Sequence, residues 1–112
     1  MEISLVQEET VTIVTITGSV DGLTADRLMS ALDGEIAGGR CRLVADASGL
    51  EYTSSAGLRA LLATVKRSRS LGGDLRLAAV RAPVMRVLEL AGFTGILKVY
   101  DDVPAAVASF GR

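Results

Sequence analysis

The fold is decided by the stretch Val44-Ala45-Asp46-Ala47-Ser48-Gly49-Leu50-Glu51-Tyr52-Thr53-Ser54-Ser55-Ala56-Gly57-Leu58. It begins as a buried strand, passes through a polar turn and opens a helix. The apolar residues at its end and beyond recur at i, i+3, i+4 and i+7, which is the spacing of one face of an amphipathic helix; they are Leu58, Leu61, Leu62 and Val65. We therefore expect a strand, a turn and a central helix around which the rest of the chain is arranged.

Two serines, Ser54 and Ser55, stand immediately before that helix. A serine in this place is an N-cap signal, because its oxygen accepts from the first unpaired backbone N–H groups. Spacing alone favours a capping role for one of the two. A helix N-terminus also carries partial positive charge and free donors, so it tolerates an anion. Ala56 and Gly57 add little bulk, so a phosphate on Ser55 is sterically permitted.

The composition predicts one small aliphatic domain over residues 1–112. Hydrophobic residues make up 49% of the chain and aromatic residues only 4%, so the core must consist of Leu, Val, Ile and Ala. The formal net charge of -1 gives no electrostatic reason to expect nucleic acid as a partner. There is no signal peptide and no apolar run near the ~20 residues that span a bilayer, so we expect a soluble cytoplasmic domain.

The residues needed for most kinds of catalysis are missing. The chain has no histidine, which removes the commonest general base and zinc ligand. Its one cysteine, Cys41, cannot form an internal disulfide and is predicted to be a buried structural thiol. The glycines form neither a phosphate loop nor a dinucleotide fingerprint. We expect no enzyme activity, no cofactor and no metal.

The first elements are predicted from β-branched runs and a cap. Strands are expected over 3–7 and 11–17, and their short connection makes them antiparallel. Gly18 is expected to end the second strand and to start a loop. Thr24 is the predicted N-cap of an amphipathic helix over 25–37, which a pair of glycines ends.

The later elements alternate between strands and helices. A strand over 41–46 is expected to deliver Asp46 to the rim of the sheet at its carboxyl end. The strand over 74–79 alternates apolar and polar residues, so helices are expected mostly on one face of the sheet. A helix from Pro83 to Ala91, a strand and a final helix complete the chain; the strand covers 96–100, and Asp101 or Asp102 caps the helix. The order ββαβαβαβα predicts an α/β fold with a mainly parallel sheet and an N-terminal antiparallel hairpin strand.

The segment Asp46-Ala47-Ser48, followed by Tyr52-Thr53-Ser54-Ser55-Ala56-Gly57-Leu58, resembles the STAS family, and within it the single-domain anti-sigma factor antagonists. Three further segments are similar to the same family and extend the resemblance over nearly the whole chain: Gly18-Ser19-Val20-Asp21-Gly22-Leu23-Thr24-Ala25, Leu71-Gly72-Gly73-Asp74-Leu75 and Val87-Leu88-Glu89-Leu90-Ala91-Gly92-Phe93.

The resemblance implies a partner switch. The unmodified antagonist binds an anti-sigma factor that is also a serine kinase, and so frees the sigma factor; phosphorylation ends binding, and a phosphatase restores it. By position Ser55 is the phosphoacceptor. The residue before the phosphoserine is often Asp in the best-studied branch of the family, and here it is Ser54, which is the second choice of acceptor. The resemblance also implies a set of partner-binding residues: Asp21, Thr24, Asp46, Ser48, Tyr52, Thr53, Ser54, Ala56, Gly57 and Arg59.

Two other functions of the same fold stay open at the level of sequence. One is a STAS subunit that packs on the ATPase of an ABC lipid-transport complex and is not phosphorylated. The other is a scaffold protein of a stress-sensing assembly. Copurification with an ABC ATPase would favour the first, and a monomeric protein would count against the second.

Overall fold

The computed structural model describes residues 1–111, which form a five-stranded sheet with the strands in the spatial order β1-β2-β3-β4-β5. The strands are β1 (Glu2–Glu8), β2 (Val11–Val20), β3 (Arg42–Thr53), β4 (Asp74–Ala78) and β5 (Lys98–Tyr100). The helices are α1 (Ala25–Ala37), α2 (Ser55–Ser70), α3 (Ala82–Leu90) and α4 (Val103–Ala108), with one 3₁₀ turn, Phe93–Gly95. Strand β1 is antiparallel to β2, and the other neighbours are parallel. The predicted order ββαβαβαβα is confirmed.

Helices α1, α2 and α3 cover one face of the sheet and enclose the main core with it. From the helices that core takes buried residues such as Leu32, Val65 and Leu88, and from the strands it takes Val14 and Leu43. The opposite face carries a smaller cluster under α4; its buried members are Val11, Val44, Ala78 and Ala106. The prediction that helices lie mostly on one face is confirmed. No described helix is long and apolar enough to cross a membrane.

Strand β3 is much longer than predicted. It continues from Asp46 to Thr53, through the stretch that the sequence presented as a polar turn. Strand β2 likewise continues through Gly18 to Val20, because its last residues pair with this extension of β3. Strand β4 pairs with β3 only as far as Asp46, so beyond that residue β2 and β3 form a two-stranded ribbon. The predicted ends at 46 and at Gly18 are wrong.

The extension of β3 contains two irregularities in its register with β2. Thr15 pairs with Asp46 but Thr17 with Gly49, and a second shift separates the pairs of Gly18 and Ser19. Each shift places one extra residue in β3, which is the definition of a β-bulge. The β3 residues that are buried on the side of α1 to α3 follow these shifts; they are Leu43 and Ala45 before the first bulge, Ala47 within it, Leu50 between the two, and Thr53 after the second.

The ends of three later elements differ from the prediction by a few residues. Strand β4 stops at Ala78, because Ala79 has a positive φ of 57° that no strand residue adopts. Helix α3 begins at Ala82, with Pro83 still in its first turn, and ends at Leu90. The spacing of the apolar residues predicts Ala91 on the inward side of this helix with Val84, Val87 and Leu88, but Ala91 is exposed, so that prediction is wrong. Strand β5 contains only the last three residues of the predicted strand over 96–100.

Two further predictions concern side chains. Asp102 caps α4, since its Oδ1 accepts from Ala105 N at 2.8 Å, which selects one of the two predicted residues. Cys41 was predicted to be buried but is only half-buried, and its Sγ donates to Leu71 O at 3.7 Å.

Candidate functional site

The turn from β3 into α2 is held by hydrogen bonds around Ser54. Ser54 N donates to Val20 O at 2.7 Å, which ties the turn to the end of β2. Ser54 Oγ accepts from Gly57 N at 3.2 Å, so Ser54 is the N-cap of α2. The sequence left open which serine caps the helix, and this geometry selects Ser54 because its extended backbone precedes the first helical residue.

Gly57 lets the first turn of α2 approach the ends of β2 and β3 closely. A Cβ on Gly57 would overlap Thr53 Oγ1 and come within 2.8 Å of Val20 Cγ1. Thr53 is 4% exposed and Gly57 is also buried. Both were predicted to bind a partner, but their burial leaves them no direct contact surface. They position the exposed residues of the turn instead.

Ser55, the first residue of α2, is exposed. Among the described residues its hydroxyl has no hydrogen-bond partner. Ala56 beside it is half-buried and packs against the main core, while Arg59, one turn further along the helix, is exposed. Ser55 Oγ is therefore accessible at the positive end of a 16-residue helix, with a cation four residues away on the same side.

The loop after β2 is built around Asp21. Its Oδ1 accepts from Leu23 N and Thr24 N, both at 2.9 Å, and from Thr24 Oγ1 at 3.0 Å. These hydrogen bonds hold the pKa of Asp21 below its usual value. The largest contribution comes from the backbone N–H of Thr24, followed by the Thr24 hydroxyl and the backbone N–H of Leu23. This exposed carboxylate therefore stays charged. Thr24 occupies the predicted N-cap position of α1, but its hydroxyl bonds to Asp21 and makes no capping bond. The side-chain part of that prediction is wrong.

This loop lies beside the start of α2. Val20, just before it, pairs with Thr53, and Gly22 lines a groove between α1 and α2 together with Asp26 and Arg59. The loop also carries Leu23, which is 89% exposed. We define the acceptor surface as the exposed groups in this region: Asp21, Leu23, Tyr52, Ser55 and Arg59.

Asp46 and Ser48 lie apart from the acceptor surface. Asp46 Oδ1 accepts from Ser48 N at 3.0 Å, within the first bulge of β3, and Ser48 O accepts from Arg81 Nε at 2.6 Å. Asp46 is seven residues before Thr53 in the same strand, roughly 20 Å away at the usual rise. The sequence predicted Asp46 at the end of the strand, whereas β3 continues to Thr53; Asp46 lies where the pairing with β4 ends, and its role in partner binding stays a prediction.

Leu23, Asp26 and Met29 were missed by the sequence reasoning. Asp26 and Met29 line the groove between α1 and α2, and Leu23 projects from the Asp21 loop. The signal for Leu23 was a large apolar residue in an otherwise polar loop. Nothing in the sequence indicates that one side of α1 borders the start of α2. Among the described residues, no three His, Cys, Asp or Glu side chains come together as a metal site would require.

Together, the bulged ribbon, the serine-capped central helix and the three helices on one face define a STAS-type α/β domain. A family model for the STAS domain matches residues 2–106. The chain belongs to the STAS domain family, among the anti-sigma factor antagonists.

Individual relatives agree with this assignment. The chain is 33% identical over 110 residues to BtrV of Bordetella bronchiseptica, which is named as an anti-sigma factor antagonist; the match covers 98% of this chain and 95% of that protein. A crystal structure of an anti-sigma factor antagonist of Thermotoga maritima superposes with a TM-score of 0.92 at 22% identity, covering 98% and 95% of the two chains. The phosphorylated form of the Bacillus cell fate determinant SpoIIAA has the same fold, with a TM-score of 0.76 at 14% identity over 97% and 99% of the chains.

Proposed function

We propose that this protein is the antagonist in a partner switch, which binds an anti-sigma factor with serine kinase activity and is released when Ser55 is phosphorylated. One observation carries the proposal: the Ser54 hydroxyl is used in the helix cap, whereas the neighbouring Ser55 hydroxyl is exposed and unbonded among the described residues. Of the two candidate acceptors, only Ser55 can take a phosphate without loss of a hydrogen bond that starts α2.

The proposed binding site is the acceptor surface. Tyr52 is 53% exposed and Leu23 is 89% exposed, so both offer apolar area to a partner. Asp21 and Arg59 add one charge of each sign around Ser55. Thr24, Thr53, Ser54, Ala56 and Gly57 support this surface, and we assign Asp46 and Ser48 to the bulge of β3. The residues that touch the partner are thus fewer than the resemblance implied.

A phosphate on Ser55 has different consequences for folding and for binding. It adds about -1.5 to -2 charges and three acceptor oxygens. At the N-terminus of its own helix such a charge gains about 0.3–1 kcal/mol, so the fold tolerates it. In a docked complex the same group is taken out of water, at a cost of several kcal/mol where no cation meets it. Each ~1.4 kcal/mol is a factor of ten in affinity. The phosphate therefore changes the affinity for the partner far more than it changes the stability of the fold.

The proposal assigns chemistry to the partners and binding to this chain. The kinase binds ATP and transfers its γ-phosphoryl group to Ser55 Oγ, releasing ADP and the hydroxyl proton, and a serine phosphatase hydrolyses the phosphoester back to serine and inorganic phosphate. This chain acts as substrate and ligand, and no step requires a catalytic residue of its own. The state of the switch is therefore given by the fraction of the anti-sigma factor that is bound to this chain.

The test is intact-mass spectrometry after incubation with the candidate serine kinase of the same genome and ATP, followed by fragmentation to place the phosphate. We expect one added phosphate on Ser55. The variant Ser55→Ala should remain unmodified. The matched variant Ser54→Ala should still be phosphorylated on Ser55, once circular dichroism has shown that it is folded.

Two results would overturn the proposal. Phosphate on Ser54 in the unmodified sequence would show that the cap does not protect that hydroxyl. A folded protein that binds the anti-sigma factor but takes up no phosphate would be a constitutive binding subunit.

A further inference from the structure

Strand β1 forms an open edge of the sheet. It pairs only with β2, in an unbroken register from Glu2 opposite Thr17 to Glu8 opposite Val11. In an antiparallel pair, alternate residues bond to the neighbouring strand, and the residues between them direct N–H and C=O groups outward. An edge of this kind is a template for another strand unless it is protected.

The usual protection of an edge strand is weak in β1. The strand has no proline, no lysine and no bulge over its seven residues. Two adjacent apolar side chains are exposed at its centre, Leu5 at 44% and Val6 at 55%. Its only charges are the glutamates at its two ends, Glu2 and Glu8.

The charged side chains of the amino-terminal segment are all acidic, although Arg40 and Arg42 of later elements lie beside the Glu8 end of β1. Residues 1–26 contain five acidic residues and no lysine or arginine; the acidic ones are Glu2, Glu8, Glu9, Asp21 and Asp26. None of them forms an ion pair within the described part of the chain. In a two-fold pairing that used the full length of β1, Glu2 would face Glu8 of a second copy, and like charges directly opposite are unfavourable. Charge therefore favours a basic strand over a second copy.

A polar recess lies on the helix side of the same edge. It has a volume of about 250 Å³ and is lined by Leu5, Gln7, Thr12, Glu35 and Arg40. Thr12 is 1% exposed, and a hydrogen bond with its hydroxyl contributes to the lowered pKa of Glu35, which also pairs with Arg40. The polar groups of the recess are therefore partnered within the chain. Thr12 lies opposite Gln7, so β1 itself separates Thr12 from any strand that is added at the edge.

We propose that the β1 edge binds an extended segment of a partner protein by strand addition, with basic side chains opposite Glu2 and Glu8. Backbone pairing to β1 supplies the affinity, and the two glutamates select the side chains. This surface is separate from the acceptor surface and does not depend on phosphorylation.

The test uses a fluorescein-labelled peptide, Lys-Thr-Val-Val-Thr-Val-Lys-amide, and the unmodified protein in fluorescence anisotropy. When the peptide runs antiparallel to β1, its lysines lie opposite Glu2 and Glu8. We expect binding that weakens as salt is added. Hydrogen exchange should slow at the outward amides of β1 when the peptide is present.

Two matched comparisons separate strand addition from attraction by charge. The variant Glu2→Lys/Glu8→Lys should bind at least tenfold more weakly, while Glu51→Lys/Glu89→Lys, which changes the net charge equally at exposed positions elsewhere, should stay within twofold. A peptide of the same sequence, N-methylated at every second residue, keeps its charge but loses its pairing groups, so it should bind at least tenfold more weakly. Circular dichroism checks the fold of both variants.

Three outcomes would overturn the proposal. Equal binding of the N-methylated peptide would reduce the interaction to charge alone. Absence of binding by the folded protein would exclude this occupant. Protection of the β1 amides that appears without peptide and rises with protein concentration would identify a second copy at the edge.

Discussion

The two adjacent serines at the start of α2 differ in what their hydroxyl groups do. Ser54 Oγ accepts the backbone N–H of Gly57, and the exposed Ser55 Oγ is unbonded among the described residues. Sequence alone could place a cap within these two positions but not choose between them, because the choice depends on which residue keeps an extended backbone. The bond from Ser54 N to Val20 O fixes that residue, and it comes from a strand that is distant in sequence.

Ser54→Ala should lower the free energy of unfolding by about 1 kcal/mol, because it removes a serine N-cap. Urea unfolding monitored by circular dichroism measures the loss. Ser55→Ala is the matched control, and it should change stability by less than about 0.5 kcal/mol, as for an exposed side chain without a partner. Equal losses in the two variants would contradict the assigned cap.

Glu9→Gly should stabilise the protein. Glu9 lies in the hairpin turn between β1 and β2 with a φ of 57°, a left-handed conformation that costs a non-glycine residue about 1–2 kcal/mol. Glycine removes that strain and costs about 0.5–1 kcal/mol in unfolded-state entropy, so a net gain of about 0.5–1 kcal/mol is expected. Thermal unfolding tests it, with Gln7→Gly in β1 as a control that should destabilise.

At the scale of single elements, β3 shows where the sequence was insufficient. Residues 47–53 include Ser, Gly, Glu and Thr, and no simple alternation runs through them, so the segment was interpreted as a turn. The two bulges explain the missing alternation, because each moves the buried positions by one residue. Pairing with β2 keeps the segment extended, and that contact is not encoded in the local sequence pattern. By contrast, α1 had the predicted bounds because its apolar residues are regularly spaced and glycines end it.

Asp74 joins three elements at the start of β4. It is 4% exposed and accepts from Arg69 Nε of α2 at 2.9 Å and from Arg76 Nε at 3.1 Å. Arg69 also donates to Ile96 O, just before β5. Arg76 lies with its guanidinium carbon 4.0 Å from the centre of the Phe110 ring, beyond α4. This network fastens the amino-terminal end of β4 to its surroundings.

Asp74→Ala should destabilise the protein by about 3 kcal/mol, because it leaves the guanidinium group of Arg76 without its carboxylate in a largely buried place. Urea unfolding gives the value. The matched control is Asp33→Ala, which breaks the ion pair between Asp33 and Arg67. The side chains of this pair are exposed, Arg67 at 47% and Asp33 at 41%. Exposed pairs contribute about 0–1 kcal/mol, so the control should lose much less. If Asp74→Ala and Asp33→Ala lowered the free energy of unfolding by similar amounts, the buried ion pairs of Asp74 would contribute no more than an exposed pair.

Glu35 at the end of α1 should make stability depend on pH. Its carboxylate accepts from Arg40 Nε at 3.0 Å and Nη2 at 3.1 Å, and these bonds hold the pKa of Glu35 below its ordinary value of 4.5. A lowered folded-state pKa means that the stabilisation is present above pH 4.5 and is lost as the pH falls through the folded-state pKa. The difference in unfolding free energy between the unmodified protein and Glu35→Gln should therefore shrink from pH 6 to pH 3. A difference that stays constant with pH would contradict this assignment.

For the whole molecule, the proposed switch separates folding from binding. Ser55→Asp should leave the circular dichroism spectrum and the melting temperature close to those of the unmodified protein, because the first turn of α2 accommodates a negative charge. The same variant should bind the anti-sigma factor at least a hundredfold more weakly, as measured by isothermal titration calorimetry. Ser55→Ala should bind like the unmodified protein. An unfolded Ser55→Asp protein would contradict the proposal.

The order of the elements and the layer arrangement could be predicted for the whole chain, but the layout of the site could not. Helical and strand periodicities are local, and the handedness rule for parallel strands then leaves few topologies. The acceptor surface combines the loop of Asp21 with Tyr52 and Arg59, which are brought together by a ribbon whose length was not predicted. The resemblance implied Asp46 as a partner-binding residue, and the predicted strand end at 46, which is too early, placed it at the rim of the sheet.

The two bulges in β3 mark the places where this segment can change in length. At each bulge one extra residue of β3 has no counterpart in β2, so its loss would close the bulge and leave Tyr52 and Thr53 opposite Ser19 and Val20. The loss of a residue away from a bulge would instead exchange the two faces, turning Tyr52 inward and Thr53 outward. We expect homologous chains to differ in length here by single residues at the bulges, with the start of the helix preserved.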